Sequence, residues 1–108
     1  MLKDISIIIP VYNAKDYLKN TIISILNQKL KYMNLKIEII LSIDDQKNYT
    51  EFTNLKDNNK EIRLTRTKKN GSGPGNARNE GIKISKGKYI GFLDADDEWS
   101  LNYLEKMY

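Results

Sequence analysis

The chain has 108 residues, of which 40% are hydrophobic and 30% charged, a composition typical of one globular domain. It contains no cysteine and no histidine, which excludes a disulfide, a thiol nucleophile, a Cys/His zinc site and a Ser-His-Asp triad. The net charge of +4 comes from lysines scattered along the chain, so we predict no nucleic-acid partner. Any catalysis must therefore use carboxylates, hydroxyls, Lys, Arg or a bound hard cation.

The apolar runs of the chain are short. None approaches the roughly 20 residues that cross a membrane, and Pro10 interrupts the first run too early for a signal peptide. We therefore expect no membrane span and a cytoplasmic location.

Strands and helices are predicted to alternate along the chain. Runs rich in β-branched residues predict strands over residues 5–9, 37–43, 61–66 and 89–93. Helical spacing predicts a helix from Asn13, with Asn13 and Asp16 as its cap, a helix over 76–85 and a last helix capped by Ser100. Residues 47–57 predict a weak helix or a loop. The alternation indicates an α/β fold, with a mostly parallel sheet of about four strands flanked by helices.

Acidic residues are concentrated after the fourth predicted strand, at Asp94, Asp96, Asp97 and Glu98. Carboxylates this close repel one another unless a cation or hydrogen-bond donors offset the charge. Mg²⁺ and Mn²⁺ bind through one or two protein carboxylates and take phosphate oxygens as further ligands. The alternative, that Asp97 or Glu98 only favours the start of the next helix through its dipole, stays open.

Polar residues also follow the other predicted strands, at the edge where ligands bind in parallel sheets. Asp44 and Asp45 can accept hydrogen bonds from a base or a ribose, or form an Asx turn. Tyr12 can stack on a nucleobase or pack in the core. A glycine-rich segment over 70–75 lacks the third glycine of a dinucleotide-binding loop. The helix after it can face an anion with its N-terminus and Arg78, or Arg78 is a surface residue.

Two blocks of this sequence resemble inverting family-2 glycosyltransferases with the GT-A fold. The first, ISIIIPVYNAKDYLKNTIISILNQ, is similar to the family's opening strand, P-x-Y-N turn and first helix. The second, NGSGPGNARNEGIKISKGKYIGFLDADDEW, is similar to its A-R-N-x-G and F-L-D-x-D-D block. The resemblance covers the whole chain and implies a Rossmann-like GT-A half-domain.

The resemblance implies a nucleotide-diphospho-sugar donor, most often a UDP-sugar, with Mn²⁺ or Mg²⁺ on its diphosphate. It places the nucleotide against Pro10, Val11, Tyr12, Asp44, Asp45, Arg78, Asp94 and Ala95, and it makes Asp96 the metal ligand. Gln46 and Lys47 stand where the family has Gly and Ser, so whether Asp44 or Asp45 contacts the base stays open.

GT-A enzymes are about twice as long as this chain, and their general base follows the D-x-D motif. We therefore expect that base beyond Tyr108 and assign no catalytic residue. Residues 1–108 are interpreted as the N-terminal, donor-binding portion of a longer domain, truncated after D-x-D, that binds donor without turnover. Apolar surface left exposed predicts self-association.

The expected acceptor is a saccharide or a lipid-linked molecule, in cell-envelope polysaccharide synthesis, and membrane association of a full-length protein stays open. The alternatives are a non-catalytic regulatory or interaction α/β module and a sugar nucleotidyltransferase fragment. Metal-dependent nucleotide binding distinguishes the glycosyltransferase interpretation from the module.

Overall fold

The computed structural model describes residues 3–29, 34–56 and 59–107. The strands are β1 (Lys3–Val11), β2 (Ile37–Ile43), β3 (Lys60–Arg66) and β4 (Gly87–Phe92). The helices are α1 (Leu18–Leu26), a 3₁₀ helix (Thr50–Leu55), α2 (Pro74–Ile84) and α3 (Tyr103–Met107). The strands form a parallel sheet in the order β3-β2-β1-β4. This confirms the predicted α/β fold.

The two central strands are apolar because the sheet is covered on both faces. Every residue of β2 is buried, as are residues 5–9 of β1. β-branched residues pack well on such a surface, which is why a continuous isoleucine run forms a strand here. The run in β2 begins and ends at the predicted residues, and β1 lies between β2 and β4.

One helix covers each face of β1. On one face, α1 buries Leu18, Ile22 and Ile25 in the cluster that also contains the odd-numbered residues of β1 from 5 to 11. On the other face, α2 approaches so closely that a Cβ at Gly81 would lie 2.6 Å from Ile8 Cγ2. This close approach holds the start of α2 near the carboxyl ends of the strands.

The first helix begins later than predicted. Asn13 has a φ of 50°, in the left-handed region, and therefore cannot begin a helix. The backbone N–H groups of Tyr17 and Leu18 both donate to the Ala14 carbonyl, so a turn precedes α1. The predicted cap of Asn13 and Asp16 is wrong, since no side chain caps α1.

The other helix boundaries also differ. Proline is favoured at the first position of a helix, and α2 begins at Pro74 rather than at residue 76. Residues 50–55, inside the segment predicted as a weak helix or loop, form the 3₁₀ helix. The predicted helix after Ser100 begins only at Tyr103, because a turn comes first in which Tyr103 N donates to the Ser100 carbonyl.

Strand β4 lies at the edge of the sheet and exposes large apolar side chains. Tyr89 is 60% exposed, Ile90 41% and Phe92 45%. This is the kind of surface that the predicted self-association requires, and the association itself stays a prediction. Among the described residues, no helix has the length and apolarity needed to cross a bilayer.

Candidate functional site

A cavity of about 480 Å³ opens at the carboxyl edge of the sheet. Its volume lies within the range of roughly 300–1,000 Å³ that is usual for small-molecule sites. It is lined by Pro10, Val11, Tyr12, Tyr17, Asp44, Gly71, Gly73, Pro74, Ala77, Asp94, Ala95 and Asp96. Most of the residues predicted to hold a nucleotide and metal therefore share one cavity, and Asp45 and Arg78 lie outside its lining.

The sheet order explains why residues far apart in sequence meet here. β2 and β4 flank β1, so the residues that follow these three strands lie side by side. Backbone hydrogen bonds continue the pairing past the strands: Asp44 N donates to Val11 O at 2.8 Å, and Leu93 N donates to Ile8 O at 3.1 Å. The three strand ends thus form one continuous rim.

Asp44 holds the glycine-rich loop against the rim. Its carboxylate accepts hydrogen bonds from Ser72 N at 2.9 Å, Ser72 Oγ at 2.6 Å, Thr67 Oγ1 at 2.7 Å and Gly73 N at 2.8 Å. Burial opposes the charged form, but the hydrogen bonds from Ser72, Thr67 and Gly73 outweigh burial and lower the pKa of Asp44 below 3.8. The glycine-rich loop therefore surrounds the chain's own carboxylate.

Asp45 holds a different part of the rim, the turn that carries Tyr12. Its carboxylate accepts hydrogen bonds from Asn13 N and Lys47 N, each at 2.8 Å, and from Tyr49 Oη at 2.6 Å. Burial raises its pKa, but these donors prevail and the pKa lies below 3.8. Burial and the bond to Asp45 raise the pKa of Tyr49 to about 12. The predicted nucleotide contact of Asp45 stays a prediction.

The acidic side of the cavity contains one paired and one unpaired carboxylate. Arg78 is on α2, and its Nη2 lies 3.2 Å from Asp94 Oδ1. Asp96 is exposed, lines the cavity and makes no hydrogen bond or ion pair with any other described residue. Within the described ranges, no three His, Cys, Asp or Glu side chains are grouped as metal ligands. The carboxylate of Asp96 nevertheless fits a divalent cation that takes its other ligands from a diphosphate and water.

Several lining residues were not predicted. Tyr17 is 39% exposed and donates from its Oη to the Asn13 carbonyl at 3.3 Å. In the sequence Tyr17 is one of several apolar residues at helical spacing, and no sequence signal distinguishes it from the residues that α1 buries in the core. Gly71 has a φ of 67° and lies beneath the Tyr12 ring, where a Cβ would be 3.6 Å from Cε1. A glycine between polar residues is the signal that could have located this contact.

The lowered pKa of Asp45 predicts a pH dependence of stability. A carboxyl group whose folded-state pKa is lowered stabilises the fold above its ordinary pKa of 3.8, and this contribution is lost as pH falls through the folded-state pKa. We expect the difference in unfolding free energy between wild type and Asp45→Asn to shrink as the pH falls from about 5 to about 2. Urea unfolding at each pH, followed by Trp99 fluorescence, measures this difference. A difference that does not change with pH would contradict the assignment, and Asp97→Asn, at an exposed position, is the control.

Comparison with known proteins relates this chain to a family of glycosyl transferases. The chain is 43% identical over 110 residues to the minor teichoic acid biosynthesis protein GgaA of Bacillus subtilis, covering 95% of this chain and 24% of GgaA. It is 38% identical over 101 residues to the UDP-Glc:alpha-D-GlcNAc-diphosphoundecaprenol beta-1,3-glucosyltransferase WfgD of Escherichia coli, covering 94% of this chain and 38% of WfgD.

The fold also matches a solved structure. The crystal structure of Staphylococcus aureus TarS 1-349 in complex with UDP-GlcNAc superimposes with a TM-score of 0.79 at 24% identity, covering 96% of this chain and 30% of that chain. The present chain thus spans well under half the length of these relatives. Residues 6–108 match the family described as glycosyl transferase family 2. The chain therefore belongs to glycosyl transferase family 2.

Proposed function

We propose that this chain forms the donor-binding part of a glycosyltransferase that transfers a sugar from a UDP-sugar to a saccharide or lipid-linked acceptor, with inversion. The observation that carries the proposal is the single cavity that brings Tyr12, Asp44 and Asp96 together from three strand ends. An aromatic ring suits a base, a hydrogen-bond acceptor suits the polar edge of that base, and a free carboxylate suits a cation that binds the diphosphate.

Tyr12 and Asp44 are suited to hold the base. The Tyr12 side chain is 52% exposed at the cavity and offers a ring face for stacking. Asp44 accepts three hydrogen bonds at Oδ1 and one at Oδ2, so Oδ2 retains a lone pair for a donor on a ligand. Since Asp44 lines the cavity and Asp45 does not, we propose Asp44 as the acidic residue that contacts the base.

Asp96 is suited to hold Mn²⁺ or Mg²⁺. A diphosphate that enters this cavity meets the exposed carboxylates of Asp94 and Asp96, and Arg78 offsets the charge of Asp94 only. A divalent cation on Asp96 would remove the remaining repulsion between the carboxylate and the phosphates. Such a cation, when bound, stabilises the negative charge of a diphosphate leaving group.

The named relatives support the donor and acceptor classes. TarS has been crystallised with UDP and with UDP-GlcNAc. The name of WfgD specifies a UDP-Glc donor and a diphosphoundecaprenol-linked acceptor, and GgaA is named for minor teichoic acid biosynthesis. We therefore propose a role in cell-envelope polymer synthesis. Because the chain spans only part of these relatives and no base is assigned, we propose that it binds donor without turnover.

Calorimetric titration of UDP into the folded chain tests the proposal. We expect Mn²⁺ to raise the affinity for UDP by at least about tenfold over EDTA, since even groups that only orient a metal ligand change metal affinity by that much. Asp96→Asn should abolish the gain, because it removes the carboxylate that carries the cation. Asp97→Asn is the matched control, one residue away and outside the cavity lining, and should keep the gain. GDP tests base selectivity.

Three outcomes would contradict parts of the proposal. No UDP binding by a chain with the circular dichroism of a folded α/β protein would favour a non-catalytic module. UDP binding that neither EDTA nor Asp96→Asn changes would show that no metal takes part in the site. Transfer of sugar from a UDP-sugar by the purified chain would show that the catalytic base lies within it.

A further inference from the structure

Helix α1 and the two residues that follow it present three polar side chains toward the segment after β4. Thr21, Ser24 and Gln28 are spaced three and four residues apart and therefore lie on one face. Thr21 is 1% exposed and Gln28 is 6% exposed. Burying a polar group costs free energy unless it is hydrogen-bonded, so the partners of these side chains explain why they are there.

Thr21 contacts the acidic loop, residues 94–98, directly. Its Oγ1 donates a 2.6 Å hydrogen bond to the carbonyl of Ala95, and both residues are buried. Ala95 stands between the two aspartates that line the cavity. A bond to this carbonyl fixes the peptide that leads into Asp96, and with it the direction from which the Asp96 carboxylate enters the cavity.

Ser24 and Gln28 hold the chain just after the acidic loop. Ser24 Oγ accepts a 3.1 Å hydrogen bond from Trp99 N. Gln28 donates from Nε2 to the Ser100 carbonyl at 2.5 Å and accepts at Oε1 from Leu104 N at 2.9 Å. The acidic loop is therefore attached to this face at Ala95 and again from Trp99 onward.

Apart from this face, the acidic loop is held by one side-chain contact among the described residues, the ion pair between Arg78 Nη2 and Asp94 Oδ1 at 3.2 Å. The carboxylates of Asp96, Asp97 and Glu98 make no hydrogen bond or ion pair with another described residue. Within the loop, Asp97 N donates to Asp94 O at 3.0 Å. Arg78 offsets the charge of Asp94, but the other three carboxylates of the loop are unpaired and repel one another. Loss of the bond at Ala95 would therefore let this part of the loop spread and move Asp96 away from the cavity.

We propose that Thr21 is a positioning residue for Asp96, with Gln28 and Ser24 anchoring the following segment, so that α1 sets the geometry of the cation site. The inference rests on the proposed function in one respect, namely that Asp96 binds a divalent cation. The attachment of the loop to α1 does not depend on that role and is measured separately.

The test compares Thr21→Val, which keeps the shape and removes the hydroxyl, with Thr21→Ser, which keeps the hydroxyl. We expect Thr21→Val to reduce the Mn²⁺-dependent gain in UDP affinity by about tenfold, the size of effect that groups orienting a metal ligand have. UDP affinity in EDTA should stay within about twofold, because Tyr12 and Asp44 are untouched. Thr21→Ser should restore the gain. Thr53→Val is the control, since its hydroxyl bonds the Thr50 carbonyl, away from the cavity.

Hydrogen exchange supplies the readout that does not depend on metal. We expect amides 94–99 to exchange faster in Thr21→Val than in wild type, with amides 5–9 unchanged. We expect Gln28→Leu to raise the exchange rates of amides 100–105. Wild-type exchange over 94–99 together with an undiminished Mn²⁺ gain in Thr21→Val would overturn the inference. If Mn²⁺ does not raise the UDP affinity of the wild-type chain, the proposed function fails instead. In that case the exchange rates of amides 94–99 in Thr21→Val alone test whether Thr21 positions the loop.

Discussion

Glu38→Gln should destabilise the fold by about 3 kcal/mol, the cost of removing one partner of a buried ion pair. Glu38 is fully buried and accepts hydrogen bonds from Ser6 Oγ, Arg63 Nη1 and Lys86 N, each at 2.6 Å. Burial raises its pKa, but these donors outweigh burial and hold the pKa below its ordinary value. A glutamine amide would turn a donor toward one of these donors and leave Arg63 without its counter-charge.

Thermal unfolding followed by circular dichroism measures the effect of Glu38→Gln, and a loss of this size lowers Tm by roughly 10–20 °C. Glu61→Gln is the matched control, because Glu61 pairs with Glu38 in the β2–β3 register. Its carboxylate lies 3.5 Å from Lys3 Nζ and is 44% exposed, so its loss should cost less than about 1 kcal/mol. Equal losses of stability in the two variants would show that the buried contacts of Glu38 contribute no more than the exposed ion pair of Glu61.

Gly87→Ala should destabilise the fold by about 3 kcal/mol, at the upper end of the effects of overpacking. A Cβ at Gly87 would lie 2.4 Å from Ser6 N, 2.6 Å from Ser6 Oγ and 2.8 Å from the carbonyl carbon of Ile5. Because two of these atoms belong to the backbone of β1, the clash cannot be relieved by rotating a side chain. Either β4 moves away from β1 or the bond from Gly87 N to Ser6 Oγ breaks.

Gly91→Ala is the control for Gly87→Ala, since it makes the same change in the same strand. No atom lies within 4 Å of a Cβ at Gly91, so we expect a neutral effect or a stabilisation of about 0.5 kcal/mol from the reduced entropy of the unfolded chain. Urea unfolding measures both variants. A Gly87→Ala chain as stable as Gly91→Ala would contradict the close approach of β4 to β1.

Local sequence patterns predicted all four strands but the bounds of β2 only. β1 extends two residues beyond the predicted run at each end and includes Pro10, and β4 begins two residues before the predicted run and ends one residue before its end. The isoleucine-rich run of β2 is buried over its whole length, so its ends in the sequence are also its ends in the structure. The start of α1 was not predictable in this way. It depends on the left-handed Asn13, whose backbone N–H bonds a carboxylate 32 residues away, at Asp45.

The sequence predicted which residues lie in the candidate site better than it predicted which residues they contact. The polar residues at the ends of all four predicted strands indicated the cavity, because a parallel sheet brings strand ends to one edge. The sequence does not show that Asp44 binds the glycine-rich loop or that Thr21 binds Ala95, since these contacts join residues 28 and 74 positions apart. Such pairings are set by the packed fold and have no local pattern.

The central place of β1 in the sheet has a consequence for folding. The wall of the cavity at Tyr12 follows β1, the wall at Asp44 follows β2, and the wall at Asp96 follows β4. A molecule in which β4 has not yet joined β1 lacks the last wall and has no complete cavity. A ligand that spans the cavity binds only molecules with the whole sheet assembled, and by mass action it draws partly assembled chains toward completion.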